Sequence, residues 1–149
     1  MSGMSGMGGM QVASGPGALT VGAVMRRRWI AVSPLATARD ALQIMRMARL
    51  RQVPVAADGI LKGMLWYPAL VQAVLGAGGP KVAQVMSPEL EAGDAQMPVS
   101  EAAARIARSH GGCLPVIEPS PAGARLVGLV TESDLLRLAY EPARGSASA

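Results

Sequence analysis

The sequence is poor in the side chains on which most catalysis and most nucleic-acid reading depend. It has no Phe and only two Trp and two Tyr among 149 residues, so aromatics make up 3% of the chain. That scarcity excludes a single-strand reader that stacks bases on aromatic platforms. The lone cysteine, Cys113, cannot close an intramolecular disulfide, and a single histidine, His110, leaves a closed zinc site short of ligands. His110-Gly111-Gly112-Cys113 therefore reads as a loop before a strand. No nucleophile elbow accompanies His110, and the clustered Glu89, Glu91 and Asp94 read as a solvated acidic loop. No apolar run reaches the roughly 20 residues that span a bilayer. Residues 1–20 carry no charge, so the chain lacks the basic start of a signal peptide. These absences predict a cytoplasmic protein that is not an enzyme, with no membrane contact, no metal and no required cofactor.

What is present is apolar enough to fold. Half the residues are hydrophobic, 16% are charged and mean hydropathy is +0.31, a composition that supports a substantial core. Of the ten Met, four lie in the Gly/Ser-rich start (Met1, Met4, Met7, Met10), while Met45 and Met64 occupy apolar pattern positions and read as core filling. Charge is unevenly divided. Residues 21–82 hold nine Lys and Arg against two Asp and Glu, a balance of +7; residues 83–149 hold five against eight, a balance of −3. The densest basic cluster, Arg26-Arg27-Arg28, reads as a solvated stretch or as a partial contact to a phosphate tail.

An internal repeat organises the chain. Val24-Met25 recurs as Val85-Met86, Ala41 and Met45 as Ala102 and Ile106, and Val53-Pro54-Val55 as Leu114-Pro115-Val116, all at an offset of 61. After a loop expected over 118–125, the offset becomes 65 and Gly63-Met64-Leu65 returns as Gly128-Leu129-Val130. Each copy spells the same elements. Ala38, Ala41, Leu42, Met45 and Ala48 form the stripe of an amphipathic helix. Gln52–Ala56 and Ile60–Leu65 flank Asp58-Gly59 as a hairpin. A second helix follows, opened by Pro68 and closed by Gly76. A short strand near Ile30–Val32 precedes the first helix. The copies are expected over 20–79 and 80–142, with flexible tails at 1–19 and 143–149. Units of about 60 residues bury too little surface to stand alone, so the two are expected to share a core.

These ordered motifs resemble a tandem pair of cystathionine-β-synthase (CBS) domains over about residues 20–140. The resemblance implies a mixed α/β (α+β) fold: two βαββα repeats packed sheet to sheet about a pseudo-twofold axis. It implies regulation by an adenosyl ligand bound in clefts between the repeats. The family pattern Gly-x-x-Thr/Ser-x-x-Asp is complete in the second copy as Gly128, Thr131 and Asp134, whose Thr and Asp hold the phosphate and ribose of a nucleotide in such folds. The residues carry a physical logic of their own. Thr131 and Asp134 stand at a helix start, where unpaired N–H groups and the positive dipole end favour an anion, and a carboxylate accepts both ribose hydroxyls. The same spacing also spells a capping box, the commoner meaning of Thr-x-x-Asp outside a repeat of this kind.

By the same resemblance the site draws on Val130, on Ile30 beside the base, and on Arg51, Gln52 and Pro54 from the first copy. Trp66 and Ala69 replace the Thr and Asp in the first copy, so Trp66 is expected to fill that cleft and leave one ligand site per chain. The implied ligands are AMP, ADP, ATP or S-adenosylmethionine. The implied assembly is a homodimer formed through helix faces led by Leu70-Val74 and Leu135-Leu138, signalling to an unnamed regulated protein. Two other classes compete: a ligand-free structural dimerisation module, and a nucleic-acid binder acting through the basic first copy, the latter disfavoured by the missing aromatic platform.

Overall fold

In the computed structural model, residues 19–88, 91–109 and 112–140 are described. The first repeat contributes α1 (Val21–Val24), α2 (Ala38–Ala48), β1 (Gln52–Ala57), β2 (Ile60–Trp66) and α3 (Tyr67–Leu75). The second contributes α4 (Val82–Val85), α5 (Val99–Arg108), β3 (Cys113–Ser120), β4 (Gly123–Thr131) and α6 (Glu132–Tyr140). The expected strand near Ile30–Val32 is a single parallel bridge, Val32 to Val55, matched in the second repeat by Gly93 to Val116.

Local chemistry sets the element ends. Thr37 opens α2 by accepting the Asp40 N–H at 3.1 Å, and Ala38, Ala41 and Met45 are its buried face. Asp58 and Gly59 both have positive φ, 54° and 80°, the two-residue hairpin turn that Asp-Gly favours. Pro54 and Pro115 sit on β1 and β3, the edge strands of the order β1-β2-β4-β3, where a missing N–H costs no ladder bond.

The segment expected as a loop over 118–125 is strand instead. β3 and β4 continue through Glu118↔Arg125 and Pro119↔Ala124 to Ser120↔Gly123, leaving only Pro121-Ala122 as the turn. Two prolines and no apolar alternation disguised it, but β3 is an edge that tolerates proline. The extension has a structural role: Ile60 pairs with Arg125, and Leu126 N donates to Gly59 O at 2.9 Å, joining the hairpins into one four-stranded sheet.

The segments leading into each repeat are exchanged. Arg26 bridges to Leu129 of the second repeat, and its counterpart Ser87 bridges to Met64 of the first; Thr20 pairs with Pro98, and Thr37 with Lys81. The sequence offsets of 61 and 65 map each bridge onto its partner. The apolar clusters follow this crossing. Val21 and Met25 pack with Ala102, Ile106 and Leu114, while Val82 packs with Met45, Val53 and Leu70. Between the hairpins lies a third cluster of symmetry-matched pairs, Leu61 with Leu126 and Met64 with Leu129. This shared core answers the shortage of burial expected for each unit alone.

One expectation about the helix faces is corrected. Leu70 is 0% exposed in the first-repeat core, because α3 lays it against α2 and β2, so it is unavailable to a second copy of the chain. Exposed apolar residues on these helices are Leu75, Leu136 and Tyr140.

Candidate functional site

The crossing of the lead-in segments places the charge chemistry. Arg26 N donates to Leu129 O at 2.7 Å and Leu129 N returns a bond to Arg26 O at 3.1 Å, pinning the Arg26 backbone beside the end of β4. Close approach there requires glycine. A Cβ on Gly128 would stand 2.5 Å from Met25 Sδ and 3.0 Å from Arg26 O; one on Gly63 would meet Ser87 O at 2.8 Å and Met86 Sδ at 2.9 Å. The Arg26 guanidinium then reaches the first turn of α6. Its Nε donates to both carboxylate oxygens of Asp134, at 3.0 and 3.1 Å, and Nη2 lies 2.9 Å from Oδ1.

Asp134 is 7% exposed and closes the capping box as well. Thr131 N donates to its Oδ2 at 2.9 Å, and Asp134 N donates to Thr131 Oγ1 at 3.2 Å. Arg137 Nη1 stands 3.6 Å from Oδ1. Burial pushes the Asp134 carboxyl upward, but the Arg26 guanidinium and the Thr131 N–H and hydroxyl outweigh it and hold the group below the ordinary carboxylate range. The same pair holds Arg26 above its ordinary value.

Beside this pair, between the repeats, opens a cleft of about 680 Å³. That lies within the roughly 300–1,000 Å³ of small-molecule sites. Of the residues expected at a ligand site, Ile30, Arg51, Gln52, Pro54 and Thr131 line it. Gly128, Val130 and Asp134 do not. Gly128 makes room for Met25 and Arg26, Val130 is fully buried in the second-repeat core, and Asp134 is turned into its ion pair and cap. The cleft also gathers Arg26, Arg28, Trp29 and Arg49 from the first repeat and Glu132 and Ser133 from the start of α6. Arg49 and the Arg26–Asp134 pair were missed from sequence. The partners are separated by 108 positions, and only the crossing of the lead-ins brings them together.

Two matched positions face the cleft with different chemistry. Gln52 and Cys113 are related by the offset of 61. Gln52 Oε1 is a buried acceptor with no partner among the described residues, whereas desolvation pushes the Cys113 thiol up to about 12, which keeps it protonated at neutral pH. No group of three or more His, Cys, Asp or Glu among the described residues is arranged to hold a metal. No helix among them is long and apolar enough to cross a membrane. Trp66 ends β2 half-buried. Its expected role as a plug is not tested by the described residues; His110, residues 1–18 of the expected N-terminal tail and the expected tail at 143–149 lie outside them.

Comparison with known proteins gives the same organisation. The chain is 34% identical over 107 residues, 70% of its length and 74% of the relative's, to the CBS domain-containing protein YhcV of Bacillus subtilis. Its fold matches the CBS-pair protein CBSX2 of Arabidopsis thaliana with a TM-score of 0.76 at 23% identity, over 85% of this chain and 98% of that one. CBSX2 has also been solved in complex with AMP. The CBS domain pair of protein MJ0100, solved with 5′-methylthioadenosine and S-adenosyl-L-methionine, matches with a TM-score of 0.71 at 18% identity, over 84% and 98% of the two chains. The CBS domain family model itself matches twice, at residues 21–65 and 82–141, and the chain, with its doubled grammar and crossed lead-ins, belongs to the CBS domain family as a tandem pair.

Proposed function

We propose that the protein is a regulatory module that binds one adenine nucleotide or related adenosyl ligand per chain in the inter-repeat cleft and passes the bound state to a partner protein. The observation that carries this reading is the composition of the cleft: Thr131 at the start of α6 lines it together with Ile30, Arg51 and Gln52 from the opposite repeat. A helix start and an arginine, Arg51, without an ion pair among the described residues suit a phosphate. The complexes of relatives with AMP and with S-adenosylmethionine support the adenosyl class. Signalling follows from differential affinity. A ligand that touches both repeats favours the arrangement in which they match it, and it shifts a dimer only by that difference.

Asp134 enters this scheme already occupied. Oδ1 accepts from Arg26 Nε and Nη2, and Oδ2 from Arg26 Nε and Thr131 N, so a ribose diol gains the carboxylate only by displacing the guanidinium. Arg26 lines the cleft, and on binding it exchanges the carboxylate for the ligand phosphate. Calorimetry with AMP, ATP and S-adenosylmethionine tests the site. Asp134→Ala and Arg51→Ala are each expected to weaken binding about tenfold or more, and unchanged affinity in both removes the assignment.

The full coordination of Asp134 also favours a second reading, a ligand-free structural dimerisation module. Thermal unfolding separates the two. A true ligand present at 100 times its Kd adds about 2.7 kcal/mol of stability, whereas a ligand-free module melts at the same temperature with and without nucleotide.

A further inference from the structure

At the opposite end of the β3–β4 hairpin from the cleft lies a separate depression of about 420 Å³, which shares no lining residue with it. That volume is within the roughly 300–1,000 Å³ of small-molecule sites. The 118–125 extension forms one wall through Pro119, Ser120 and Ala124, and the segment 92–97 forms the other. The first repeat is built differently here. Its hairpin turns at Asp58-Gly59, and the offset of 61 matches Asp94 and Arg105 to Ser33 and Ile44.

The walls are held before any ligand arrives. Gly93 N donates to Pro115 O at 2.9 Å and Ile117 N to Gly93 O at 2.8 Å, while Val21 N and Gly22 N donate to Met97 O and Ala95 O at 2.7 and 2.8 Å from the other side. Backbone polar groups alternate along a strand, so Ile117 O and Pro119 O face outward as Ile117 N does. Neither carbonyl has a backbone partner among the described residues, and Pro119 has no N–H, so the edge beyond Ile117 N accepts hydrogen bonds and donates none. Two charged residues also line the depression. Asp94 is exposed; its Oδ1 accepts the Gln96 N–H at 2.9 Å, and its Oδ2 has no partner among the described residues. Arg105 donates through Nη1 to Ala92 O and through Nη2 to Glu101, which leaves its Nε–H and a second N–H on each Nη nitrogen unused among the described residues. The two are not paired with each other. Met97, Ile117 and Ala124 give the same depression an apolar lining.

We propose that this depression is a second ligand site, for a free α-amino acid with an apolar side chain. The carboxylate takes the unused N–H groups of Arg105, the ammonium donates to Asp94 Oδ2 and to the outward carbonyls of Ile117 and Pro119, and the side chain lies on Met97 and Ala124. A zwitterion answers the separated carboxylate and guanidinium together. A polyanion meets Asp94 as a like charge, and a simple amine leaves Arg105 unanswered. The site stands whether or not the inter-repeat cleft binds an adenosyl compound, because no residue belongs to both.

Calorimetry on the full chain tests this with three probes: L-leucine, L-leucinamide, which lacks the carboxylate, and 4-methylpentanoate, which lacks the ammonium. Leucine is expected to bind once per chain and about tenfold or more tightly than either analogue, the scale of a hydrogen bond to a charged group. Asp94→Asn, an exposed change that keeps Oδ1 for the Gln96 N–H, is expected to erase the preference for leucine over 4-methylpentanoate and to leave the melting temperature unchanged. Arg105→Gln is expected to erase the preference for leucine over leucinamide, a selectivity that mere loss of folding would not alter in this direction. Should Arg105→Gln fail to fold, Asp94→Asn decides alone. Absence of saturable binding at millimolar leucine, leucine bound no more tightly than either analogue, or an Asp94→Asn protein that binds leucine as the wild type does would each overturn the proposal.

Discussion

The two repeats share one grammar and use their arginines in opposite ways. In the second repeat they are engaged by acids: Arg105 with Glu101 at 2.9 Å, Arg125 with Glu118 at 3.6 Å, Arg108 with Glu91 at 3.9 Å and Arg137 with Asp134 at 3.6 Å. In the first, Arg28, Arg49 and Arg51 stand without ion pairs among the described residues, and all three line the cleft; Arg26 crosses to the second repeat and pairs with the buried carboxylate of Asp134. Of the nine basic residues behind the +7 balance of 21–82, four, Arg26, Arg28, Arg49 and Arg51, line one cleft between the repeats.

The largest effects expected test the symmetry itself. Gly128→Val and Gly63→Val each drive a side chain into the crossing lead-in, against Met25 and Arg26 or against Met86 and Ser87. Each should cost about 2–4 kcal/mol in urea unfolding, the scale of overpacking with backbone displacement. Similar losses at the two sites confirm a symmetric exchange. A harmless Gly128→Val would break the comparison.

Next is the asymmetric acid. Asp134→Asn keeps an acceptor for Thr131 N but removes the charge of an ion pair whose arginine is 51% exposed, so solvent screens the pair and the expected loss is about 1–2 kcal/mol at neutral pH. The pH dependence has a definite sign. The native carboxyl is held below the ordinary value while the unfolded group titrates near 3.9, so the stabilisation is complete above the unfolded pKa and fades as pH falls through the lower native one. The gap between wild type and Asp134→Asn should therefore narrow on acidification below about pH 4. A gap that is constant with pH would show that the loss is packing and not charge.

Smaller still is the kinetic signature of Cys113. With its thiol pushed up to about 12, alkylation by iodoacetamide at pH 8 should follow unfolding of the chain, and cleft ligands should slow it further. Rapid labelling of the folded protein would contradict its burial. The least effect belongs to the second repeat's surface pairs: Glu101→Gln, which breaks an i,i+4 pair with Arg105, should cost no more than about 0.5 kcal/mol.

Sequence made much of this legible because the strongest signals were periodic or chemical. The α2 stripe, the Asp58-Gly59 turn and Gly76 at the end of α3 are all where patterning puts them. What escaped is non-local or non-periodic. Lead-in segments held by single bridges carry no strand alternation, so their exchange leaves no signal in the sequence. That exchange decides the site, since it delivers Arg26 to Asp134 and gives Gly128 a packing role. The 118–125 extension escaped because prolines on an edge strand look like breakers. Thr131 and Asp134 carry two meanings in sequence, nucleotide contacts and a capping box; the structure has the box closed, with Thr131 among the residues lining the cleft.

The central claim is one site, built from both repeats. Titration of the full chain with ATP, followed by calorimetry, tests it most directly. The account predicts one ATP per chain, with the affinity reduced about tenfold or more in Arg51→Ala, on one side of the cleft, and in Asp134→Ala, beside the other. Two equivalent sites per chain, or binding indifferent to both substitutions, would contradict it.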